Sequence, residues 1–222
     1  MATMVKRRKR QHTVSKFYLR AFADEAGTVR RVGVPGREAV DLSVNDASVI
    51  KDFYSVRLSD GSVSDAFEEA FGEVEDGAAT AHRALLDGQW PLQGEARLSL
   101  AAWIALQHLR TEGTRGDQEV MRATMIRLVV GSSGKEALRR HIERAESRKV
   151  GDQELDKEWA DLTKPGGPDL EPDVLMHMDT VVSLLPGFAQ YLRDCHWTVF
   201  RFQRRCLATS GACQIVCVRA WS

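Results

Sequence analysis

Four polar residues lie at the edges of apolar segments, and their side chains could together form a catalytic site. They are His12, Glu75, Gln107 and Arg110. In a shared pocket the histidine would act as acid or base, the arginine would hold an anion, and the glutamate would serve as base or metal ligand. The same residue types also form buried hydrogen-bond networks that fix helix packing. The spacing leaves both interpretations open, and Tyr18 is a further candidate for either.

A basic arm opens the chain. Residues 1–20 contain seven Lys and Arg and no Asp or Glu; because the whole chain has 31 basic and 31 acidic residues, residues 21–222 carry a net charge of −7. Because the net charge of the whole chain is zero, the sequence excludes a protein that binds nucleic acid through its overall charge. The arm itself can contact nucleic-acid phosphates or be a solvated tail. Its candidate binding residues are Lys6, Arg7, Arg8, Lys9 and Arg10. We expect residues 1–10 to be mobile and dispensable for folding.

No motif identifies a cofactor, a metal or a reaction. The sequence has no P-loop, no GxGxxG, no HExxH and no GxSxG. Cys195, Cys206, Cys213 and Cys217 have none of the usual zinc spacings. This favours reduced, buried cysteines over a zinc site. The metal and the cofactor therefore stay unknown at this level, and the residues do not decide whether the protein is an enzyme.

Helical periodicity indicates the elements that must position the polar residues. The predicted helices cover about residues 14–22, 65–87, 95–112, 117–131, 135–149 and 174–192. Thr13 would cap the first helix, and Asp65 with Glu68 would form a capping box on the second. Residues 98–107 carry no charge. We therefore expect the third helix to be the most buried, and Gln107 to be buried with hydrogen-bond partners.

Alternating apolar residues predict strands on both sides of these helices. On the N-terminal side, residues 28–34 and 38–44 flank a turn at Pro35 and Gly36, and residues 49–57 form an extended segment. On the C-terminal side, strands are predicted over residues 197–202, 207–209 and 214–218. Strands and helices are segregated rather than alternating, so the predicted fold class is α+β. It has a mostly helical centre, a small N-terminal β element and a C-terminal antiparallel β meander.

One α+β domain is expected over residues 11–222, with a Pro- and Gly-rich linker at residues 163–173. The basic start lacks the apolar stretch of a signal peptide. No uncharged run reaches the about 20 residues needed to cross a bilayer. We therefore expect a cytoplasmic protein with no membrane partner. The chain ends soon after its last predicted strand, so we also expect an exposed strand edge that pairs in a homodimer.

Several runs match the pattern of a known family in order. Residues 11–22 read Gln-His-Thr-Val-Ser-Lys-Phe-Tyr-Leu-Arg-Ala-Phe, and weaker matches lie at residues 51–54, 68–75, 105–111 and 197–200. These runs resemble the bacterial family called domain of unknown function 4238, whose opening signature is Gln/Arg-His-x-Val-Pro-x-x-Tyr-Leu-x-x-Phe. The resemblance extends from about residue 11 to about residue 210. It implies a bacterial, cytoplasmic protein and no established activity.

This sequence departs from the family pattern at two places. The family usually has proline where this chain has Ser15, which we interpret as a mild change. The family pattern also ends in Thr-Ser-Asp-x-Pro, with more chain after it, whereas Gly211 stands here in place of the aspartate. If that carboxylate serves a reaction in the family, this chain lacks it.

The residues and the resemblance together favour one function and leave two others open. The favoured interpretation is a non-catalytic structural or interaction protein. One alternative is a metal-dependent phosphoester hydrolase or nuclease-like enzyme, in which Arg110 holds phosphate and His12 and Glu75 flank the reacting centre. The other is a nucleic-acid-binding module that uses the basic arm.

Overall fold

The computed structural model describes residues 9–32, 38–205 and 212–221. Two compact units make up the chain. Residues 1–111 and 174–222 form the first, the main unit, and residues 112–173 form the second, the inserted unit. The α+β class is confirmed, with seven helices and small antiparallel sheets in the described part of the chain. The single domain expected over residues 11–222 would unfold with both units in one transition, and this stays a prediction.

The N-terminal β element consists of short antiparallel pairs. Strand β1 (Arg10–His12) begins the described chain and is followed by helix α1 (Lys16–Arg20). Strands β2 (Thr28–Val32) and β3 (Ala39–Ser43) pair as the predicted hairpin, whose turn at Pro35 and Gly36 lies outside the described residues. Strand β4 (Val49–Lys51) returns to pair with β1. Strands β5 (Val56–Arg57) and β6 (Val63–Ser64) form a further small hairpin.

Helix α1 begins later than the periodicity predicts. Ser15, not Thr13, is its N-cap residue, with an extended backbone at φ −61° and ψ 135°. The Thr13 hydroxyl instead donates to the backbone oxygen of Ser48 at 3.1 Å, because the β1–β4 pairing continues past His12. This places Ser15, rather than Thr13, at the point where the N-terminal segment meets the helical core.

Two long helices form the centre of the main unit, and the last helix of the chain, Val174–Asp194, packs with them. They are α2 (Ala66–Leu86) and α3 (Gly94–Leu109), as the apolar periodicity predicts. The buried face of α3 carries small residues such as Ala101 and Ala105, which lets neighbouring helices approach closely. A second buried cluster joins Tyr54, Phe71 and Leu106 with residues of the last helix. The polar residues of interest therefore border two well-packed apolar clusters.

The inserted unit contains helices α4 (Glu112–Ser133), α5 (Lys135–Glu146) and α6 (Asp152–Thr163). Its fully buried apolar cluster is small: Leu138, Val150 and Leu155. Helix α6 is absent from the sequence-based expectation. Leu155, Trp159 and Leu162 have helical spacing, but the many charged residues between them obscure the apolar face.

The predicted linker at residues 163–173 follows α6 directly and contains a glycine whose position does not accommodate a side chain. Gly167 has φ +86°, in the left-handed region that favours glycine. A Cβ atom at this position would collide with the backbone carbonyl of Ala123 in α4. The absence of a side chain thus allows this segment to lie directly against α4.

Helix α7 (Val174–Asp194) returns the chain to the main unit. Strands β7 (His196–Arg205) and β8 (Ala212–Trp221) follow and pair antiparallel along their full length. The outer two predicted C-terminal strands are confirmed, and the middle one, at residues 207–209, lies outside the described residues. Because β7 and β8 are direct neighbours, the described strands form a hairpin rather than the expected meander. Across the described residues, no helix is long and apolar enough to cross a bilayer.

Candidate functional site

The hydroxyl group of Ser15 is the centre of a polar cluster. Its oxygen donates to Glu75 Oε1 at 2.8 Å and accepts from Trp103 Nε1 at 2.8 Å and from Arg110 Nη2 at 3.1 Å. Ser15 has no exposed surface. We call Ser15, Glu75, Trp103, Gln107 and Arg110 the Ser15 cluster.

The elements that hold the Ser15 cluster come from three separate parts of the main unit. Glu75 lies in the middle of α2. Trp103 and Gln107 are four residues apart on α3, and Arg110 caps its C-terminal end three residues later. Residues at this spacing lie on one face of a helix. Ser15 reaches that face because the extended backbone before α1 runs alongside β4.

Arg110 is a fully engaged, buried cation. Its side chain is 1 % exposed, and its Nη2 atom lies 2.6 Å from Glu75 Oε1 in an ion pair. The guanidinium group also lies over the rings of Tyr54 and Phe71, at 5.8 and 5.7 Å from their centroids. A buried charge is tolerated when it is paired and hydrogen-bonded in this way. Glu75 keeps 26 % of its side chain exposed, so the pair borders the solvent on the carboxylate side.

Gln107 is less buried than the sequence predicts. The residue is partly exposed, because its position on α3 is at the edge of the apolar face. Its amide oxygen, in the orientation that satisfies its neighbours, accepts a hydrogen bond from Arg110 Nε at 3.0 Å. The expectation that Gln107 has hydrogen-bond partners is therefore met, whereas the expectation that it is buried is wrong.

His12 does not make a hydrogen bond to the Ser15 cluster. Its Nε2 atom is 3.2 Å from the backbone oxygen of Asn45. Burial and the positive charge of Lys16 lower the pKa of His12, and Glu75 is close enough to oppose this effect. The structure thus brings Glu75, Gln107 and Arg110 together. The fourth candidate, His12, contacts a backbone carbonyl of a loop instead.

The residues of this cluster fall within a single family match. The family described as Protein of unknown function (DUF4238) matches residues 10–215, which is most of the chain. The chain belongs to the DUF4238 family. No curated protein and no solved structure matches it. The resemblance inferred from the N-terminal motif is thereby confirmed, and all members of the Ser15 cluster lie inside the matched residues.

The DUF4238 motif contributes a second buried polar contact, which the sequence pattern did not indicate. Gln11 is fully buried, and its side-chain oxygen accepts from the backbone N–H of Tyr54 at 2.5 Å. Its amide nitrogen donates to Ser55 Oγ at 2.9 Å, and Ser55 donates to Asp65 Oδ1 at 2.6 Å. Asp65 is the N-cap residue of α2, as predicted, but its side chain makes no cap hydrogen bond because it accepts from Ser55.

The substitution at Ser15 is not a mild departure from the DUF4238 pattern in this chain. A proline has no hydroxyl group, so it could not make the three hydrogen bonds that centre the cluster. The sequence pattern did not indicate Ser15 and Trp103 as members of the cluster. A signal was present in the serine that replaces the pattern's proline, since a changed motif position points to a changed local contact.

Three further expectations concern metal ions and the basic arm of this DUF4238 protein. Within residues 9–32, 38–205 and 212–221, no group of three or more His, Cys, Asp or Glu residues could hold a metal ion. Cys195 is a free, buried cysteine, as expected. In the arm, Lys6, Arg7 and Arg8 lie outside the described residues. Arg10 is the first residue of β1 and forms an ion pair with Asp46.

Proposed function

We propose that this DUF4238 protein is a non-catalytic interaction protein, in which the Ser15 cluster fixes the main unit rather than binding a substrate. The observation that carries the proposal is the burial of Arg110 at 1 % exposure against Glu75. The cation that would hold a substrate anion is already neutralised by the carboxylate that would act as base. The Arg110 guanidinium group is not available to a substrate without breaking its hydrogen bonds to Glu75 and Ser15.

The hydrogen-bonding capacity of Ser15 supports the same proposal. A hydroxyl group has one proton to donate and two lone pairs to accept with. Glu75 takes the proton, and the indole N–H of Trp103 and the guanidinium of Arg110 occupy the lone pairs. A nucleophilic serine needs a lone pair directed at the substrate and a base for its proton. Here the lone pairs point at protein donors, so a structural role fits better.

The phosphoester-hydrolase alternative needs an acid or base beside the cluster. His12 is the candidate, and its Nε2 atom contacts the Asn45 carbonyl instead. An assay of phosphodiester hydrolysis therefore tests this alternative directly. We expect neither the natural protein nor a His12→Gln variant to hydrolyse bis(p-nitrophenyl) phosphate with Mg²⁺ or Mn²⁺. Metal-dependent turnover that disappears in a folded His12→Gln variant would overturn the proposal in favour of the hydrolase.

The nucleic-acid alternative uses other residues and has a separate test. Lys9 and the residues before it would contact phosphates, whereas Arg10 is already paired with Asp46. Binding through the arm would weaken steeply as salt rises, since each phosphate contact releases counterions. A fluorescent duplex titrated at low and high salt measures this. We expect at most weak binding, and tight binding that is lost on deletion of residues 1–9 would favour the nucleic-acid module.

We also propose that the protein acts in the bacterial cytoplasm. Support comes from the bacterial family that the N-terminal motif resembles and from Cys195, a free and buried cysteine, which suits a reducing compartment. Fractionation of a producing cell, with detection by an antibody against the protein, tests this proposal.

A further inference from the structure

Helix α4 of the inserted unit exposes an apolar face. Five large apolar side chains between residues 120 and 129 are each more than half exposed: Val120 67 %, Met121 62 %, Met125 55 %, Leu128 54 % and Val129 57 %. A surface helix normally turns such residues inward and its charged residues outward. Contiguous exposed apolar patches of a few hundred Å² mark interaction surfaces. We call these five residues the α4 face.

The charged residues within residues 120–129 are more buried than the α4 face. Arg122 and Arg127, the two charged residues between positions 120 and 129, are each partly buried. Glu119 Oε1 and Arg127 Nε are shielded from solvent and have no hydrogen-bond partner in the described part of the chain. Shielding polar atoms while exposing five apolar side chains is unfavourable for an isolated helix in water. The arrangement becomes favourable when the α4 face is covered.

The spacing of the α4 face is symmetric about its own centre. When two copies of α4 lie antiparallel with their centres between residues 124 and 125, Val120 faces Val129 and Met121 faces Leu128. Met125 then faces Thr124, so apolar residues oppose apolar or uncharged ones throughout. This is the self-complementarity that a two-fold dimer requires, in which the same patch serves both copies.

Charge selects the direction of this pairing. Asp117 is exposed at the N-terminal end of α4. In the antiparallel arrangement it faces Ser132, whose hydroxyl group is uncharged. In a parallel arrangement Asp117 would face its own counterpart, and two like charges across an interface repel. Antiparallel pairing is therefore favoured.

We propose that the α4 face binds a second copy of this chain, with the two α4 helices antiparallel. The five side chains expose on the order of 500 Å² per copy, so a pair would bury on the order of 1,000 Å², the lower bound for a specific interface. Beside Val129 lies a cavity of about 320 Å³, lined also by Leu138 and His141 of α5, into which Val120 of the second copy fits. This dimer does not rest on the proposed absence of catalysis.

Two single substitutions test the interface. Met121→Glu and Leu128→Lys each place an unpaired charge in the dimer, so each should raise the dimer dissociation constant about 100-fold. The matched control is Leu184→Lys on α7 of the main unit, where the leucine is 52 % exposed, and it should leave the dissociation constant unchanged. Sedimentation velocity over a concentration series measures all three, and circular dichroism checks that each variant is folded.

The double variant Met121→Glu with Leu128→Lys tests the antiparallel direction. Across the proposed axis each new carboxylate faces a new ammonium group, so the double variant should recover at least about tenfold of the lost affinity. Within one helix the two positions are seven residues apart, about 10.5 Å, too far for an ion pair. A parallel dimer would instead place like charges together and associate more weakly than either single variant.

Three outcomes would overturn the proposal. The first is a natural protein that stays monomeric up to about 100 μM, well above a micromolar dissociation constant. The second is a dimer that neither single substitution weakens, which would point to the exposed C-terminal strand edge expected from the sequence. The third is a double variant that is weaker than both single variants, which would exclude the antiparallel pairing.

Discussion

Two regions of the chain place their polar and apolar side chains differently: the Ser15 cluster of the main unit and the α4 face of the inserted unit. The main unit buries polar groups, such as Ser15 and Arg110, and gives them partners inside the unit. The inserted unit exposes the apolar residues of the α4 face and has a buried cluster of three residues, Leu138, Val150 and Leu155. Satisfied polar contacts make a region self-contained, whereas uncovered apolar surface makes a region depend on a partner.

Under our two proposals, the difference separates residues that hold the fold from residues that bind a second copy. The buried polar residues of the main unit resemble a catalytic site when only the sequence is considered, because histidine, glutamate and arginine are also common catalytic residues. Apolar exposure in the inserted unit looks like core in the sequence, because methionine and leucine usually are core. In both units the residue types alone leave the role open, and the burial of each side chain supports the role that we propose for it.

The largest effect is expected from breaking the buried ion pair of the main unit. Arg110→Met should lower the free energy of unfolding by about 3–5 kcal/mol, because it leaves Glu75 and the Ser15 hydroxyl without their partner. The matched change in the inserted unit is Arg148→Met, which removes an exposed ion pair with Glu154 and should have little effect. Urea unfolding measures both, and equal losses would show that the two units do not differ in this way.

Within the inserted unit, the largest effect is expected at Gly167. Gly167→Ala should lower the free energy of unfolding by about 3 kcal/mol, from left-handed strain and the collision with Ala123. Gly166→Ala is the control, since Gly166 has φ +88° but open space around its Cα, and it should lose only about 1–2 kcal/mol. Thermal unfolding of both variants gives the difference. If the units unfold independently, only one of two transitions should shift.

A smaller effect is expected when the hydroxyl group at the centre of the cluster is removed. Ser15→Ala should lower the free energy of unfolding by about 2 kcal/mol, because two buried donors lose their acceptor. Ser15→Pro should cost less than Ser15→Ala, since the native φ of −61° suits proline and the ring restricts the unfolded chain. Denaturant midpoints compare the two variants. A proline variant less stable than the alanine variant would mean that the backbone at this position is not preorganised.

The smallest effect concerns pH. Burial lowers the pKa of His82, which is 5 % exposed in the main unit. Because the unfolded chain then binds a proton more readily than the folded one, stability is present above about pH 6.5 and falls as the pH drops through the lowered pKa. His82→Phe, beside Phe17 and Tyr18, should flatten this loss. Unfolding at about pH 7.5 and about pH 5.5 measures it, and identical slopes for both proteins would contradict the role of His82.

The sequence predicted much of this fold because its signals are local. The apolar periods of α2 and α3 identified both helices, and the spacing of Gln107 and Arg110 identified one polar face. Ser15 and Trp103 were missed because their contact joins residues 88 positions apart. His12 was assigned to the cluster because no local pattern shows that β1 pairing directs its ring to Asn45. Helix α6 was missed because charges surround its three apolar residues.

The position of Ser15 has a consequence for the evolution of the family. A single hydroxyl group connects residues from α2 and α3 to the N-terminal motif. A lineage that exchanges proline and serine here therefore changes the partners of an indole and a guanidinium group at the same time. We expect the residues at positions 15, 103 and 110 to covary among DUF4238 sequences, with serine accompanied by tryptophan and arginine. The history of the motif would then be recorded in α3 as well as in the motif itself.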